Sequence, residues 1–222
     1  MVPPLAVDID GTLSRPDGSI DSRVMDVLRE WDAPVVIATG KALPYPVALC
    51  RFVGIETRVI AENGGVAFAN DDIFYFGSRE VADDVTREFE AAGHELGWGD
   101  ADLVNRWRET EVAVNRNQPL DALTELAAEH GQEVVDTGYA YHVKAPEMSK
   151  GAALRTVAAE LDLDPEAFTA VGDSENDVEL FGVAGESFAV ANADDAARAA
   201  ANEVVAESYA DGFLAAVERI SE

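Results

Sequence analysis

Basic residues are scarce in this chain of 222 residues: 16 lysines and arginines stand against 43 aspartates and glutamates, for a formal net charge of −27. That balance excludes general binding to nucleic acid or to an anionic membrane, both of which need a cationic face. It does not exclude a small phosphate ester as substrate. Cysteine is nearly absent: Cys50 stands alone, cannot form an internal disulfide and has no Cys/His zinc spacing around it, so packing is its expected job. Also missing are an uncharged apolar run of membrane-spanning length and a basic segment after Met1, so the expected location is the cytoplasm. Repeats and low-complexity tails are lacking too. What is plentiful is apolar content, 48% of the residues, enough for a core that folds alone as a monomer or homodimer. The acidic residues are dispersed rather than gathered in a tail. Their mutual repulsion favours a salt-rich cytoplasm, where screening shortens its range.

The most informative stretch is Leu5-Ala6-Val7-Asp8-Ile9-Asp10-Gly11-Thr12-Leu13. An apolar run ending in a glycine turn reads as a central strand of a parallel sheet, and such sheets carry their chemistry beyond the carboxyl ends of their strands. Asp8 and Asp10 sit there, one residue apart. Their repulsion calls for a cation or a shared proton. A divalent metal such as magnesium suits carboxylate and phosphate oxygen, and with the substrate so held one Asp can attack phosphorus while the other manages protons. The same spacing occurs in calcium loops and ordinary turns. A calcium loop, however, follows a helix and closes with Glu at its twelfth position, which here is Ser19.

Further along, the pattern alternates. A helix carrying Val24, Val27, Leu28 and Trp31 is capped by Asp21 and Ser22; Pro34–Ala38 reads as a strand; a helix runs from Pro44 to Gly54; Arg58–Ala61 is a third strand. Strand, helix, strand, helix, strand implies right-handed crossovers and a doubly wound α/β sheet. After a hairpin around Asn70-Asp71-Asp72 the order changes: a helix through Val81, Val85 and Phe89, a strand expected over Arg106 to Arg116, a helix through Leu120 and Leu123, and a hairpin over 133–144. Residues 80–149 are therefore expected to form a small α+β cap, and 1–79 with 150–222 the core. The parallel pattern resumes at a helix capped by Ser149, a strand over 168–171 followed by Gly172-Asp173-Ser174-Glu175-Asn176-Asp177, a strand near Phe188, and a closing helix through Phe213 and Ile220.

Four strand or helix ends thus carry polar residues: Asp8 with Asp10, Thr39 with Gly40, Lys150, and Asp173 with Asn176 and Asp177. Together they resemble the haloacid dehalogenase superfamily of phosphatases. The opening Asp-x-Asp-Gly-Thr-hydrophobic motif falls on Asp8 to Leu13, the second-motif Thr on Thr39, the lysine on Lys150, and Gly-Asp-x-x-x-Asp on Gly172, Asp173 and Asp177. The resemblance implies a Rossmann-like core, with Asp8 as nucleophile, Asp10 as acid and base, and Thr39, Gly40, Lys150 and Asn176 at the phosphate or orienting its partners. It implies Mg2+ held by Asp8, Asp10 through its carbonyl and Asp173, with Asp177 either direct or through water. The position and small size of the insert point to the Cof-type branch and, within it, to the archaeal phosphoglycolate phosphatases. In the cap, Arg106 with Arg108 and His142 with Lys144 are expected to share strand faces and form a cationic roof for a substrate with a second anionic end. A neutral-sugar phosphatase and a non-catalytic magnesium or phosphometabolite-binding protein are the other readings.

Overall fold

The computed structural model describes residues 2–221. Leu5–Val7 (β1) is fully buried and lies mid-sheet, paired in parallel with Val35–Ala38 (β2) on one side and Thr169–Gly172 (β9) on the other. Beyond β2 comes Val59–Ala61 (β3), also parallel. The hairpin of Val66–Ala69 (β4) and Asp72–Tyr75 (β5) then closes that edge antiparallel. On the far side β9 pairs with Glu186–Ala189 (β10), and that with Glu203–Val204 (β11). The eight-stranded order is β11-β10-β9-β1-β2-β3-β4-β5. The chain winds away from β1 in both directions, so the crevice at its carboxyl end is where a doubly wound sheet binds ligand.

Alternation along β1 sorts its side chains. Leu5 and Val7 meet Ser22–Glu30 (α1), Pro44–Val53 (α2) and Tyr209–Ile220 (α8) through Val24, Leu28, Cys50 and Phe213. Ala6 faces the other way, where Lys150–Glu160 (α5) and Val178–Val183 (α6) supply Leu154, Val157 and Leu180. Local chemistry fixes the ends of these elements. Asp21 caps α1 by accepting the Arg23 N–H, α2 stops at a left-handed Gly54, and Ser149 caps α5 by accepting the Ala152 N–H at 3.0 Å. The β4–β5 turn places Asn70 and Asp71 both at positive φ, the twist that a two-residue hairpin favours.

Between β5 and α5 lies a smaller α+β unit. Arg79–Ala91 (α3) and Leu120–Glu129 (α4) cover one face of a three-stranded antiparallel sheet in which Ala140–Lys144 (β8) is central, flanked by Val112–Asn115 (β6) and Glu133–Asp136 (β7). Tyr141 and Val143 point into that core with Val85, Phe89 and Leu123. By alternation Ala140, His142 and Lys144 take the opposite face.

The expected strand over Arg106–Arg116 is largely replaced by turns, and only Val112–Asn115 is strand. The Asn105 side chain accounts for it. Its carbonyl accepts the Ala113 N–H at 2.7 Å and its amide donates to the Ala113 carbonyl at 2.9 Å, while Asp102 accepts from Asn105. A side chain thereby takes the ladder position a neighbouring backbone would fill, and the chain before it is free to turn. Asp195–Ala200 (α7), α6 and β11 are too short to leave a periodic signal in the sequence. Among the described residues no helix is long and apolar enough to cross a membrane.

Candidate active site

Asp8 leaves β1 with its side chain almost wholly buried, and its Oδ1 accepts from Lys150 Nζ at 2.8 Å. Lys150 is delivered by the first turn of α5, and the same ammonium donates to Asp177 Oδ1 at 2.7 Å. Although burial alone would lower it, these two carboxylates hold the Lys150 pKa above its ordinary value. Asp177 is otherwise occupied: its Oδ2 accepts the Asp173 and Ser174 N–H groups at 3.0 and 3.2 Å, bending the chain after β9 into the 310 turn of Glu175–Asp177. Gly11, at φ +82, makes room for this crowding, since a Cβ there would stand 2.0 Å from an Asp173 oxygen.

Asp8, Asp173 and Asp177 can bring one carboxylate oxygen each to within 4.8 Å of the others. Three carboxylates around a single ammonium are under-compensated. Burial, then neighbouring carboxylate charge, pushes both Asp8 and Asp173 far above the usual range for an aspartate. Asp173 Oδ1 is buried with no hydrogen-bond partner. An unpartnered carboxylate oxygen facing an excess of negative charge fits a hard divalent cation bound by oxygen, and it fits little else.

Above this floor opens a cavity of about 400 Å3, lined by Asp8, Asp10, Gly11, Gly40, Lys41, Arg108, His142, Asp173 and Asn176 and by the turn Thr137–Tyr139 between β7 and β8. The Asp10 side chain is exposed, 55%, and its Oδ2 pairs with Lys41 Nζ at 2.9 Å. The roof comes from the smaller unit. Arg108 donates through Nη1 to the Gly40 carbonyl at 3.0 Å and to Glu111, and through Nε to the Val104 carbonyl. Nη2 carries no hydrogen bond among the described residues. His142 Nδ1 donates to Glu111 Oε1 at 2.9 Å, leaving Nε2 as the polar atom the ring can offer to the cavity. Glu111 itself is fully buried; burial would raise its pKa, but the His142 and Arg108 charges prevail and hold it at about 2.

Seven of the residues singled out from sequence therefore meet at one cavity: Asp8, Asp10, Gly40, Asp173, Asn176, Arg108 and His142. Thr39, Lys150 and Asp177 lie buried around them, with the Thr39 hydroxyl accepting the Lys41 N–H at 3.1 Å. Asn176 makes no hydrogen bond to Lys150; it donates to Asn63 at 2.9 Å and accepts from Ser174. Two of the four roof cations fall elsewhere. With no strand under it, Arg106 does not share a face with Arg108 and projects into solvent. Lys144, buried at the other end of β8, is spent on Glu133 and on the Met148 carbonyl and lines a separate cavity. Lys41, Asn63 and Glu111 escaped the sequence reading. Lys41 follows the predicted Thr39-Gly40 directly, a usable signal, whereas nothing local marks a buried Glu111.

An acidic pocket at the switch point of a doubly wound sheet, with a buried lysine beneath and cations above, defines the centre of a hydrolase built for anionic substrates. The chain belongs to the haloacid dehalogenase-like hydrolase family, whose model matches residues 5–96 and 108–217. It is 66% identical to a protein named phosphoglycolate phosphatase from Halobacterium salinarum, over 98% of this chain and 97% of that one. Another of that name, from Natronomonas pharaonis, is 58% identical over 99% and 98% of the two chains. A crystal structure of a Thermoplasma acidophilum protein superposes with a TM-score of 0.87 at 26% identity, covering 100% of this chain and 99% of that one. A haloacid dehalogenase-like hydrolase from Bacteroides thetaiotaomicron, 18% identical with a TM-score of 0.78 over 99% of this chain and all of that one, shares the fold.

Proposed function

We propose that this phosphatase hydrolyses 2-phosphoglycolate to glycolate and phosphate through an aspartyl-phosphate on Asp8, in a magnesium-dependent reaction. The observation that carries the reading is the buried Asp8, pinned by Lys150 at Oδ1 beside an Asp173 oxygen with no partner. Asp8 Oδ2 is the free oxygen for attack on phosphorus, while Lys150 keeps the carboxylate turned and partly offsets the charge gathered there. Asp10, exposed to the cavity, donates its proton to the glycolate oxygen as the P–O bond breaks. It then takes a proton from the water that attacks the phosphoryl group on Asp8, and phosphate leaves with both aspartates restored. Asp8, Asp173 and the Asp10 carbonyl would hold Mg2+, with Asp177, whose oxygens also serve Lys150 and two backbone N–H groups, either direct or through water. When bound, the ion supplies the positive charge that lets an anionic phosphoryl group approach an anionic nucleophile. Thr39, Gly40 and Asn176 complete the phosphate cradle with hydroxyl, backbone and amide groups.

Residues 80–149 would act as a cap over a core of residues 1–79 and 150–222, and the cap would choose the substrate. Arg108 and His142, joined by Lys41 from the core, give a substrate with a second anionic end two or three donors at the far wall, which a neutral sugar cannot exploit as well. The relatives named phosphoglycolate phosphatase support that choice. The test is turnover of 2-phosphoglycolate and glucose 6-phosphate in molar KCl, with magnesium and after EDTA. Phosphoglycolate is expected to lead in kcat/KM, with activity lost in EDTA. Equal or better use of glucose 6-phosphate would replace this reading with a Cof-type sugar phosphatase. No turnover of any ester would leave a binding protein.

A further inference from the structure

The loop after β3, Glu62-Asn63-Gly64, has an unusual backbone. Glu62 and Asn63 are both left-handed, at φ 53 and 54. For non-glycine residues each such conformation costs on the order of 1 kcal/mol or more, and it persists only where surrounding bonds impose it. Here the Glu62 N–H donates to the Lys41 carbonyl at 3.0 Å and the Asn63 N–H to the Thr39 carbonyl at 3.3 Å, tying the loop to the end of β2 beneath the cavity. The left-handed turn sends both side chains out of the core and into the smaller unit.

What they do there is specific. Glu62, wholly buried, accepts the N–H groups of Glu109 and Thr110 at 3.0 and 2.9 Å and the Thr110 hydroxyl at 2.8 Å. Asn63 donates to Glu111 at 3.0 Å and accepts from Asn176 at 2.9 Å. In the smaller unit these contacts fall on the three residues directly after Arg108, whose own guanidinium returns to the Gly40 carbonyl. Between the two units the chain crosses only around residues 76–79 and 145–149, and two neighbouring connections permit rotation. An apolar contact would tolerate sliding. A carboxylate aimed at two successive amides and a hydroxyl has one register, and outside that register it becomes an unpaired buried charge.

We propose that Glu62 and Asn63 are positioning residues: they read the turn 109–111 of the smaller unit and thereby set Arg108 and His142 at the height over Asp8 and Asp10 that admits a short substrate anionic at both ends. The inference rests on the proposed function for the identity of the site, and goes beyond it in assigning substrate selectivity to a loop of the core. Residues that neither touch substrate nor line the roof would then control which ester is used.

The experiment compares the intact protein with Glu62→Ala, Glu62→Gln and Thr110→Val, using 2-phosphoglycolate and p-nitrophenyl phosphate with magnesium in molar KCl. The aryl ester does not need the anionic roof. Glu62→Ala is expected to raise KM for phosphoglycolate tenfold or more while changing kcat/KM for p-nitrophenyl phosphate less than threefold. Glu62→Gln, which keeps one acceptor oxygen for the same donors, is expected to restore KM to within threefold, and Thr110→Val to fall between. Equal losses on both substrates that follow the drop in melting temperature, or an unchanged phosphoglycolate KM in Glu62→Ala, would overturn the inference. If the parent protein turned over neither ester, the proposed function would fall instead. Amide exchange would then decide: faster exchange in Glu62→Ala spreading from Glu109 and Thr110 to Arg108 and His142 supports the positioning role, and exchange confined to the two freed amides refutes it.

Discussion

Replacing Glu111 by Gln removes one charge from a fully buried cluster. Glu111 is fully buried and accepts from Arg108, His142 and Asn63. Its carboxyl is held at about 2 against an ordinary 4.5. At about 1.4 kcal/mol per unit, that difference corresponds to about 3 kcal/mol of folding stability. The sign follows from the depressed pKa: the contribution is complete above pH 4.5 and disappears as pH falls through 2. A second route gives the same size, since removing one partner of a buried ion pair leaves the other uncompensated at a cost of ~3–5 kcal/mol. For a chain of this length each kcal/mol is worth roughly 2–4 °C, so Glu111→Gln is expected to lower Tm by about 6–12 °C at pH 7. Calorimetry in molar KCl at pH 7 and pH 3 measures it, with the gap to the parent protein narrowing at pH 3. The double variant Arg108→Met/Glu111→Leu, which removes both charges, is expected to recover much of the loss. A drop under about 2 °C at pH 7, or a gap that ignores pH, would refute the electrostatic account of this cluster.

Asp8→Asn removes the nucleophile and keeps its shape, so turnover is expected to fall at least about 10^3-fold while Tm stays within a few degrees, Lys150 retaining Asp177; near-normal turnover would end the covalent mechanism. Burial, and then the Glu111 charge, push Glu62 up to about 6. Its contribution is thus full below pH 4.5 and lost as pH rises through 6, about 2 kcal/mol in all, so the Tm of Glu62→Gln relative to the parent is expected to climb between pH 4.5 and 7; a constant difference would contradict this. Arg108→Met is expected to narrow the preference for phosphoglycolate over glucose 6-phosphate while Arg106→Ala leaves it unchanged, and a substrate panel showing the reverse would return the roof to Arg106. Because screening shortens from ~10 Å at 0.1 M salt to ~3 Å at 1 M, a chain of charge −27 is expected to gain Tm steadily across that range of KCl, which a flat melting profile would disprove.

The core was legible because its signals are local and redundant. An apolar run such as Leu5–Val7 announces a covered strand, Asp21, Ser149 and Gly54 mark helix ends through chemistry contained in a few residues, and the strand-end carboxylates fall next to glycines that let them crowd. The smaller unit was legible in its helices and in the 133–144 hairpin but not in the segment that bears on substrate. Arg106, Trp107 and Arg108 alternate in a way that reads as strand, yet Asn105 reaches across to Ala113 and takes the place of a neighbouring backbone. That contact spans eight residues and belongs to no periodic pattern, so residue spacing alone sends Arg106 and Arg108 to the same face when one is in solvent and the other is buried.

The same reasoning explains why charge scarcity misled in one respect and helped in another. With so few cations, Arg106, Arg108 and Lys144 of the smaller unit stand out in the sequence as ligands for substrate, but a cation in an acidic chain finds a carboxylate first. Arg116 is taken by Asp136, Lys144 by Glu133, and Arg23 by Asp21 and Asp211. What distinguishes Arg108 is that its pairing is buried and shared with a backbone carbonyl of the opposite unit, which fixes the guanidinium plane and still leaves Nη2 without a bond. A fixed cation with one unspent donor at a cavity wall is pre-organised for an anion. A surface pair such as Arg87 with Asp84 keeps unspent donors too, but Arg87 is 69% exposed, so water takes them and nothing holds the guanidinium in one place. Selecting functional cations in a strongly acidic protein therefore turns on what each has left after its neighbours are served, a quantity that exists only once the chain is folded.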